Sequence, residues 1–136
     1  MKTVSNIITG FGNVQFLHID FVLPTLNEYI NAERSNRYAS AKMKKIAEKM
    51  IGLFIARSKL IPAISPVMMN YYWRVKNRRK DKDNIAFGMK FIQDALVKNG
   101  ILKNDGWNDI ANFSHIFILD KDEGVSVEIA EILNGR

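Results

Sequence analysis

The residues of this chain best suited to chemistry lie in one stretch, Arg74 to Trp107. Two carboxylates one residue apart, Asp81 and Asp83, interrupt the basic run Arg74, Lys76, Arg78, Arg79, Lys80 and Lys82. A surface meant only to attract phosphate gains nothing from carboxylates in its midst. In an extended segment, residues i and i+2 point the same way, so both could face one cation. Magnesium takes oxygen ligands and commonly combines one or two carboxylates with phosphate oxygens and water. The pattern therefore suggests a cation held where a phosphate arrives, with sequence-independent attraction from the basic run. The plainer reading is that Asp83 caps a helix in a basic loop. Both can hold.

A helix is expected over Asn84–Lys98. At about 100° per residue, Asp83, Lys90 and Asp94 then fall within roughly 20° of one meridian. Lys90 beside a metal-bound phosphate could stabilise charge as the P–O bond breaks, or position the attacking water. The plainer reading is a surface Lys90–Asp94 pair worth about 0.2–0.5 kcal/mol. Asp105 sits in the turn-like Lys103-Asn104-Asp105-Gly106-Trp107. It is either a turn residue before glycine or, if the loop folds back, a third ligand. Trp107 could stack on a base, though a core tryptophan is the commoner outcome. The sequence has no phosphate-cradling P-loop and no histidine-metal motif, and its two histidines, His18 and His115, are isolated at strand positions.

Several elements must position these residues. Val4, Ile7 and Ile8 suggest a short strand, with Gly10-Phe11-Gly12-Asn13 as a turn. Val14–Leu23 reads as a strand with Gln15, Leu17, Ile19, Phe21 and Leu23 facing inward; Pro24 ends it. Thr25–Arg37 reads as a polar loop with at most a helical turn, and its Asn27 and arginines could reach a ligand. Ala39 to about Lys59 reads as a helix capped by Ser35 or Asn36, with Met43, Ile46, Ala47, Met50, Leu53 and Phe54 as its buried stripe. Lys42, Lys44, Lys45 and Lys49 lie largely off that stripe and form a solvated face. Val67–Val75, apolar on both faces apart from Asn70 and Arg74, suits the middle of a sheet. The second helix should bury Ile85, Met89, Ile92, Ala95 and Leu96 and stop at Asn99-Gly100. Ser114–Asp120 and Val125–Ile132 read as strands joined in a hairpin by Lys121-Asp122-Glu123-Gly124. Together these predict an α+β domain, a mixed β-sheet with two main helices packed on it.

The totals narrow the class. At 136 residues the chain reads as a single domain, 1–136, and 47% hydrophobic residues suffice for a core. The absence of cysteine excludes disulfides, cysteine-zinc sites and a thiol nucleophile, and it fits a reducing cytoplasm. A net charge of +6 suggests an anionic partner, either nucleic acid or a membrane surface. No apolar run approaches the roughly 20 residues that cross a bilayer, and Met1–Thr9 does not read as a secretion signal.

The residues from about Arg79 through Asp105 resemble the RusA-type Holliday junction resolvases, small endodeoxyribonucleases often carried by phages and prophages. The likeness rests on Asp81 to Asn84, Lys90, Asp94-Ala95-Leu96, Gly100 and Asp105. Leu23-Pro24 with Asn27 is a looser echo, and the order of strands and helices agrees. The resemblance implies a RusA-like, cytoplasmic homodimer that binds four-way DNA junctions and cuts them symmetrically at two magnesium-dependent sites, with manganese as an alternative ion. It implies Asp81, Asp83 and Asp105 as metal-binding catalytic aspartates, Lys90 as the catalytic lysine, and Asn84 and Asp94 as supporting residues. Arg74, Lys76, Arg78, Arg79, Lys80, Lys82 and Asn27 would contact DNA. Two departures stand out. The family's lysine comes one helical turn after the second aspartate, where this chain has Phe87, so an insertion of about one turn precedes Lys90. Asn104 also stands where the family often has the first of two aspartates. A competing expectation is a non-catalytic nucleic-acid-binding module using the same basic surface. A third is a structural or interaction protein with no salt-sensitive DNA binding.

Overall fold

A computed structural model describes residues 8–134 of the chain; Val4 and Ile7 of the first expected strand lie outside them. In chain order the elements are β1 (Ile8–Ile19), α1 (Leu26–Ser35), α2 (Arg37–Arg57), β2 (Val67–Val75), α3 (Lys82–Ala86), α4 (Met89–Lys98), β3 (Ile110–Leu119) and β4 (Gly124–Asn134). The strands form one mixed sheet in the order β1-β4-β2-β3. β4 runs antiparallel to both β1 and β2, whereas β2 and β3 are parallel. A parallel pair needs a crossover, and α3 and α4 supply it. The α+β class and the interior place of β2 are as expected.

The expected hairpin is not formed. β3 and β4 are consecutive but do not pair, because β2 lies between them. The connection from Asp120 to Glu123 must therefore cross two strand spacings, about 10 Å, over the end of β2. Gly124 takes φ +153° on landing, a conformation open to glycine, and its α-carbon packs against the Ile19 carbonyl and the Arg74 guanidinium.

Two N-terminal expectations also change. The Gly10–Asn13 turn is part of β1, which carries register shifts between Ile8 and Gly10 and between Phe11 and Val14. The glycines bulge the strand without ending it. β1 stops at Ile19, yet its inward set holds: Leu17 and Ile19 are fully buried and Leu23 nearly so, while Phe16 and Val22 are exposed. The expected loop after Thr25 is a ten-residue helix. Thr25 and Glu28 form a capping box, in which the Thr25 hydroxyl accepts from the Glu28 N–H and the Glu28 carboxylate accepts from the Thr25 N–H. Asn36 then ends α1 and caps α2, its Oδ1 accepting from the Ala39 N–H at 2.8 Å.

The helices cover one face of the sheet. α2 buries Ser40, Ala47, Glu48, Ile51 and Ile55, a stripe rotated from the one expected. Ile46, Met50 and Leu53 are left exposed, because the stripe that meets α4 runs through Ala47, Ile51 and Ile55. α4 buries Phe91, Ile92, Gln93, Ala95 and Leu96 and ends before Gly100, at φ +75°. These side chains meet Met69, Tyr71, Trp73, Val125, Val127 and Ile129 from the two central strands to make the core.

Candidate active site and nucleic-acid interface

β2 carries the chain out of the sheet at Val75, and the segment that follows holds the carboxylate pair. Asp81 is extended (φ −69°, ψ 150°) at the N-cap position of α3. Its side chain makes no capping hydrogen bond. Asp83 lies inside the first turn and is not the cap; its Oδ1 accepts from the Asn84 N–H at 2.9 Å. Neither carboxylate enters an ion pair among the described residues. Both line one cleft with Arg78, Lys80, Lys82 and, from β3, Phe117, Ile118 and Leu119. The Lys82 ammonium lies over the Phe117 ring, 5.8 Å from its centroid, so a cation–π contact steadies one wall. Asn84 faces the other way: its Oδ1 accepts from the Asn27 N–H at 3.1 Å and clasps the first turn of α1 to α3. Asn27 thereby stands next to the carboxylate segment.

Asp83, Lys90 and Asp94 do not share one helix. The chain breaks at Phe87-Gly88, where the Gly88 N–H donates to the Ile85 carbonyl and the Lys90 N–H to the Phe87 carbonyl, the tighter i→i+3 pattern. Gly88 suits this joint: a Cβ there would stand 3.1 Å from Trp73 and 3.2 Å from Leu23, so any side chain needs those two to give by a few tenths of an ångström. The extra turn before Lys90 is thus a joint between two helices.

Beyond the joint, charges alternate in a chain. Lys90 Nζ lies 3.2 Å from Asp94 Oδ1 and 3.7 Å from Asp105 Oδ2. Asp94 also meets Lys44 at 3.4 Å, and Lys44 lies 3.8 Å from the nearly buried Glu48. Glu48 in turn receives Lys98 at 3.4 Å. The expected Lys90–Asp94 pair is present, and the Asp105 loop does fold back, reaching Lys90. The Asp94 hydrogen bond, partly opposed by desolvation and supported by the charges of Asp94 and Asp105, raises the Lys90 pKa. Lys90 is therefore cationic at neutral pH and can supply positive charge but cannot serve as a base.

The three aspartates are not gathered. Asp105 lines a second cleft, with Gln93, Trp107 and residues 110–113, and among the described residues no three carboxylate or imidazole side chains converge as a metal-binding group. The donors at Asp81 and Asp83 suit a magnesium ion that uses two carboxylates and completes its shell with water and phosphate oxygens. In this arrangement Asp105 neutralises Lys90.

The basic run divides. Arg74 is turned inward, its side chain 17% exposed. Its Nε donates to the Asp122 carbonyl at 3.1 Å, Nη1 to Ser126 Oγ at 2.6 Å, and Nη2 to the Ile19 carbonyl and Asp20 Oδ1, both at 3.2 Å. Arg74 therefore holds up the β3–β4 crossing, and the expectation that it contacts DNA is corrected: four of its five N–H donors are already occupied within the fold. Lys76 pairs with Glu123 at 3.6 Å yet keeps an exposed side chain. Arg78, Arg79, Lys80 and Lys82 are exposed and form the free part of the patch.

One feature has no counterpart among the sequence expectations. The Trp73 indole N–H donates to His115 Nδ1 at 2.9 Å, and the imidazole stacks on Tyr71, with centroids 5.1 Å apart. This hydrogen bond places the neutral ring's proton on Nε2, and burial lowers the His115 pKa. Tyr71 is itself fully buried, which raises its phenol pKa well above the usual range, although Gln93 donates to its oxygen at 3.2 Å. Alternation does place His115 opposite Tyr71 on the helix side of the sheet, but no sequence signal links it to Trp73. Trp107, for which stacking on a base and a place in the core were both open, is 94% exposed and so is not a core residue.

Set against known proteins, the sequence matches no family model and no curated protein. The fold and site define a basic α+β domain with a carboxylate pair set among cations. Among the described residues no helix is long and apolar enough to cross a membrane.

Proposed function

We propose that the chain is a magnesium-dependent endodeoxyribonuclease that acts on branched DNA, with four-way junctions as its substrate in recombination and repair. One observation carries the reading: Asp81 and Asp83, free of ion pairs among the described residues, line a cleft whose remaining charged residues are Arg78, Lys80 and Lys82. Cations draw a phosphodiester in, and a carboxylate pair keeps a divalent ion where the phosphate lands. The bound ion would polarise the phosphate and activate water; manganese would serve as well. Asp81 and Asp83 would hold it, and Asp105 is a third candidate ligand. Lys90 would stabilise the charge that develops on the phosphate oxygens once its pairing with Asp105 is released. Asp94, itself paired with Lys44, keeps the Lys90 ammonium directed, and Asn84 fixes α3 against α1 so that the carboxylate pair keeps its place. Lys76 and Arg79 extend the cationic surface along the DNA, with Asn27 at its margin.

A cytoplasmic homodimer fits the same reading, since a two-fold enzyme matches the two-fold symmetry of a junction. The sheet face away from the helices exposes Phe16, Ile116 and Ile118, apolar surface that a second copy would cover. Light scattering on the purified chain tests this, with twice the monomer mass expected.

The test of the activity uses labelled four-way junction and plain duplex, with magnesium and with EDTA. Symmetric nicking of the junction is expected only with metal. Asp81→Asn and Asp83→Asn should each abolish cutting and leave junction binding intact. Unchanged cleavage in both variants refutes the assignment. The second reading, a non-catalytic binding module, is favoured by one observation: Asp105 stands with Lys90 and not with the carboxylate pair. Salt-sensitive junction binding without nicking under any metal condition decides for it.

A further inference from the structure

We propose that Trp107 and Phe113 form a stacking platform for an unpaired nucleobase beside Asp105, an inference that rests on the nucleic-acid reading of this site. Trp107 has almost its whole side chain in water and no ring partner among the described residues. A tryptophan so exposed leaves its largest apolar surface hydrated, and tryptophan is ordinarily among the more buried residues. It stands in a specific place: two residues past Asp105, in the loop that the Asp105–Lys90 ion pair ties to α4.

The same cleft has a second aromatic wall. Phe113, on β3, is 43% exposed, and with Trp107, Asp105 and Asn112 it lines the cleft. Its ring is anchored edge-on against His115, with centroids 5.5 Å apart and planes at 67°. His115 is in turn stacked on the fully buried Tyr71. Phe113 is therefore presented by an aromatic row reaching into the core, while Trp107 lines the same cleft from the loop with its ring exposed. Every base has a π face, so stacking on such side chains is tolerant of sequence. Lys103, exposed in the same loop, supplies a cation for the adjoining phosphate. A base inside a perfect duplex is already stacked on both sides and gains nothing here, whereas an unpaired base at a branch or in a single strand gains an aromatic face. The platform would thus favour branched or single-stranded DNA over duplex.

The chain reports on itself, because its other tryptophan, Trp73, is 3% exposed. The full-length protein is titrated in EDTA with an oligothymidylate single strand, a four-way junction and a plain duplex of equal length, following tryptophan emission and, separately, affinity. Saturable quenching by the single strand and the junction is expected, and Trp107→Phe, which removes the Trp107 signal but keeps a ring, should lose the quench and bind within about threefold of the parent. Trp107→Ala should weaken single-strand and junction binding by about 5- to 150-fold and leave duplex binding unchanged. An exposed side chain of this kind carries little of the fold, and an unaltered melting temperature confirms that the comparison is fair. Binding of the single strand with no change in emission, or a Trp107→Ala variant that loses all three DNAs equally, overturns the platform alone. Failure of the parent to bind any DNA overturns the nucleic-acid reading, and the platform with it.

Discussion

Arg74 is where the residue types and the fold give opposite forecasts. As part of a basic run it should hold phosphate, and its removal should weaken DNA binding at no cost to the fold. Its four hydrogen bonds imply the reverse. The contacts to Ser126 Oγ and the Ile19 carbonyl are part-buried, and Arg74→Ala removes the guanidinium from both, leaving Ser126 Oγ with His18 Nδ1 at 3.0 Å. Each lost contact is worth about 1–1.5 kcal/mol, so the two together come to about 2–3 kcal/mol. The Asp20 contact is discounted, because that carboxylate is 73% exposed and surface pairs contribute little. Unfolding entropy of about 2.1 cal/mol/K per residue over 136 residues makes each kcal/mol worth about 3–4 °C, so the melting temperature should fall by about 7–11 °C. Arg74→Lys keeps the charge but not the fork that reaches four acceptors, and should recover less than half. Urea denaturation of both variants measures the loss, with an unchanged slope showing that the same surface is exposed on unfolding. An Arg74→Ala protein within about 0.5 kcal/mol of the parent, the range of ordinary surface substitutions, refutes the assignment of Arg74 to the crossing.

Two further outcomes follow from the core around the site. Burial holds the His115 pKa below its ordinary 6.5, so the unfolded chain binds more protons just below that pH and stability rises with pH there. The His115 contribution is complete above about 6.5 and is lost as pH falls through the folded value; protonation also ends acceptance of the Trp73 N–H. An NMR titration should place the His115 transition below the free-imidazole range, and His115→Gln should flatten the fall in melting temperature between about pH 7 and 5; a transition above that range contradicts the packing described. At Gly88, whose φ of −55° suits any residue, alanine gains up to about 1 kcal/mol of helix propensity but overpacks Trp73 and Leu23 by about 1–3 kcal/mol. Gly88→Ala should therefore be destabilised by about 1 kcal/mol in urea, and a stabilised variant would mean that those two side chains yield freely.

Where side chains alternate strictly or one residue type has one conformational use, the sequence is informative. Leu17 and Ile19 face inward as alternation requires, β2 occupies its expected span, Asn36 caps α2, and Gly100 ends α4. Thr25-x-x-Glu28 was also a readable signal: it is a capping box, and the polar surroundings of α1 hid it. Other features depend on which surface a neighbour presents. The buried stripe of α2 is chosen by α4, since apolar residues lie on two overlapping faces and only one can meet it. The Phe87-Gly88 joint reflects the closeness of Trp73 and Leu23, which no local pattern encodes. The failed hairpin shows the same limit: Lys121–Gly124 has turn chemistry, but pairing was decided by β2, which lies between its two flanking strands. Of the candidate site, the closeness of Asp81 and Asp83 and the Lys90–Asp94 contact were legible; that Asp105 pairs with Lys90 and not with the two aspartates was not. The inward turn of Arg74 was not, because a guanidinium bound to carbonyls and one bound to phosphate are spelled alike.

The strand order carries a consequence for how the protein is made. β1 is the first described strand to leave the ribosome, and among the described residues its partner in the sheet is β4, which follows about 100 residues later. At roughly 5–20 residues per second this leaves β1 waiting about 5–20 s with its backbone edge unmatched. β2, α3, α4 and β3 can assemble in the meantime as a crossover unit, but the strand that joins this unit to β1 arrives after all of them. Folding is thus completed by inserting a strand between two partners, a closure between distant parts of the chain that is intrinsically slow. The nascent protein should depend on chaperones most during that interval, and substitutions in β4 should reduce the yield of folded protein in cells more than equally destabilising substitutions in α2.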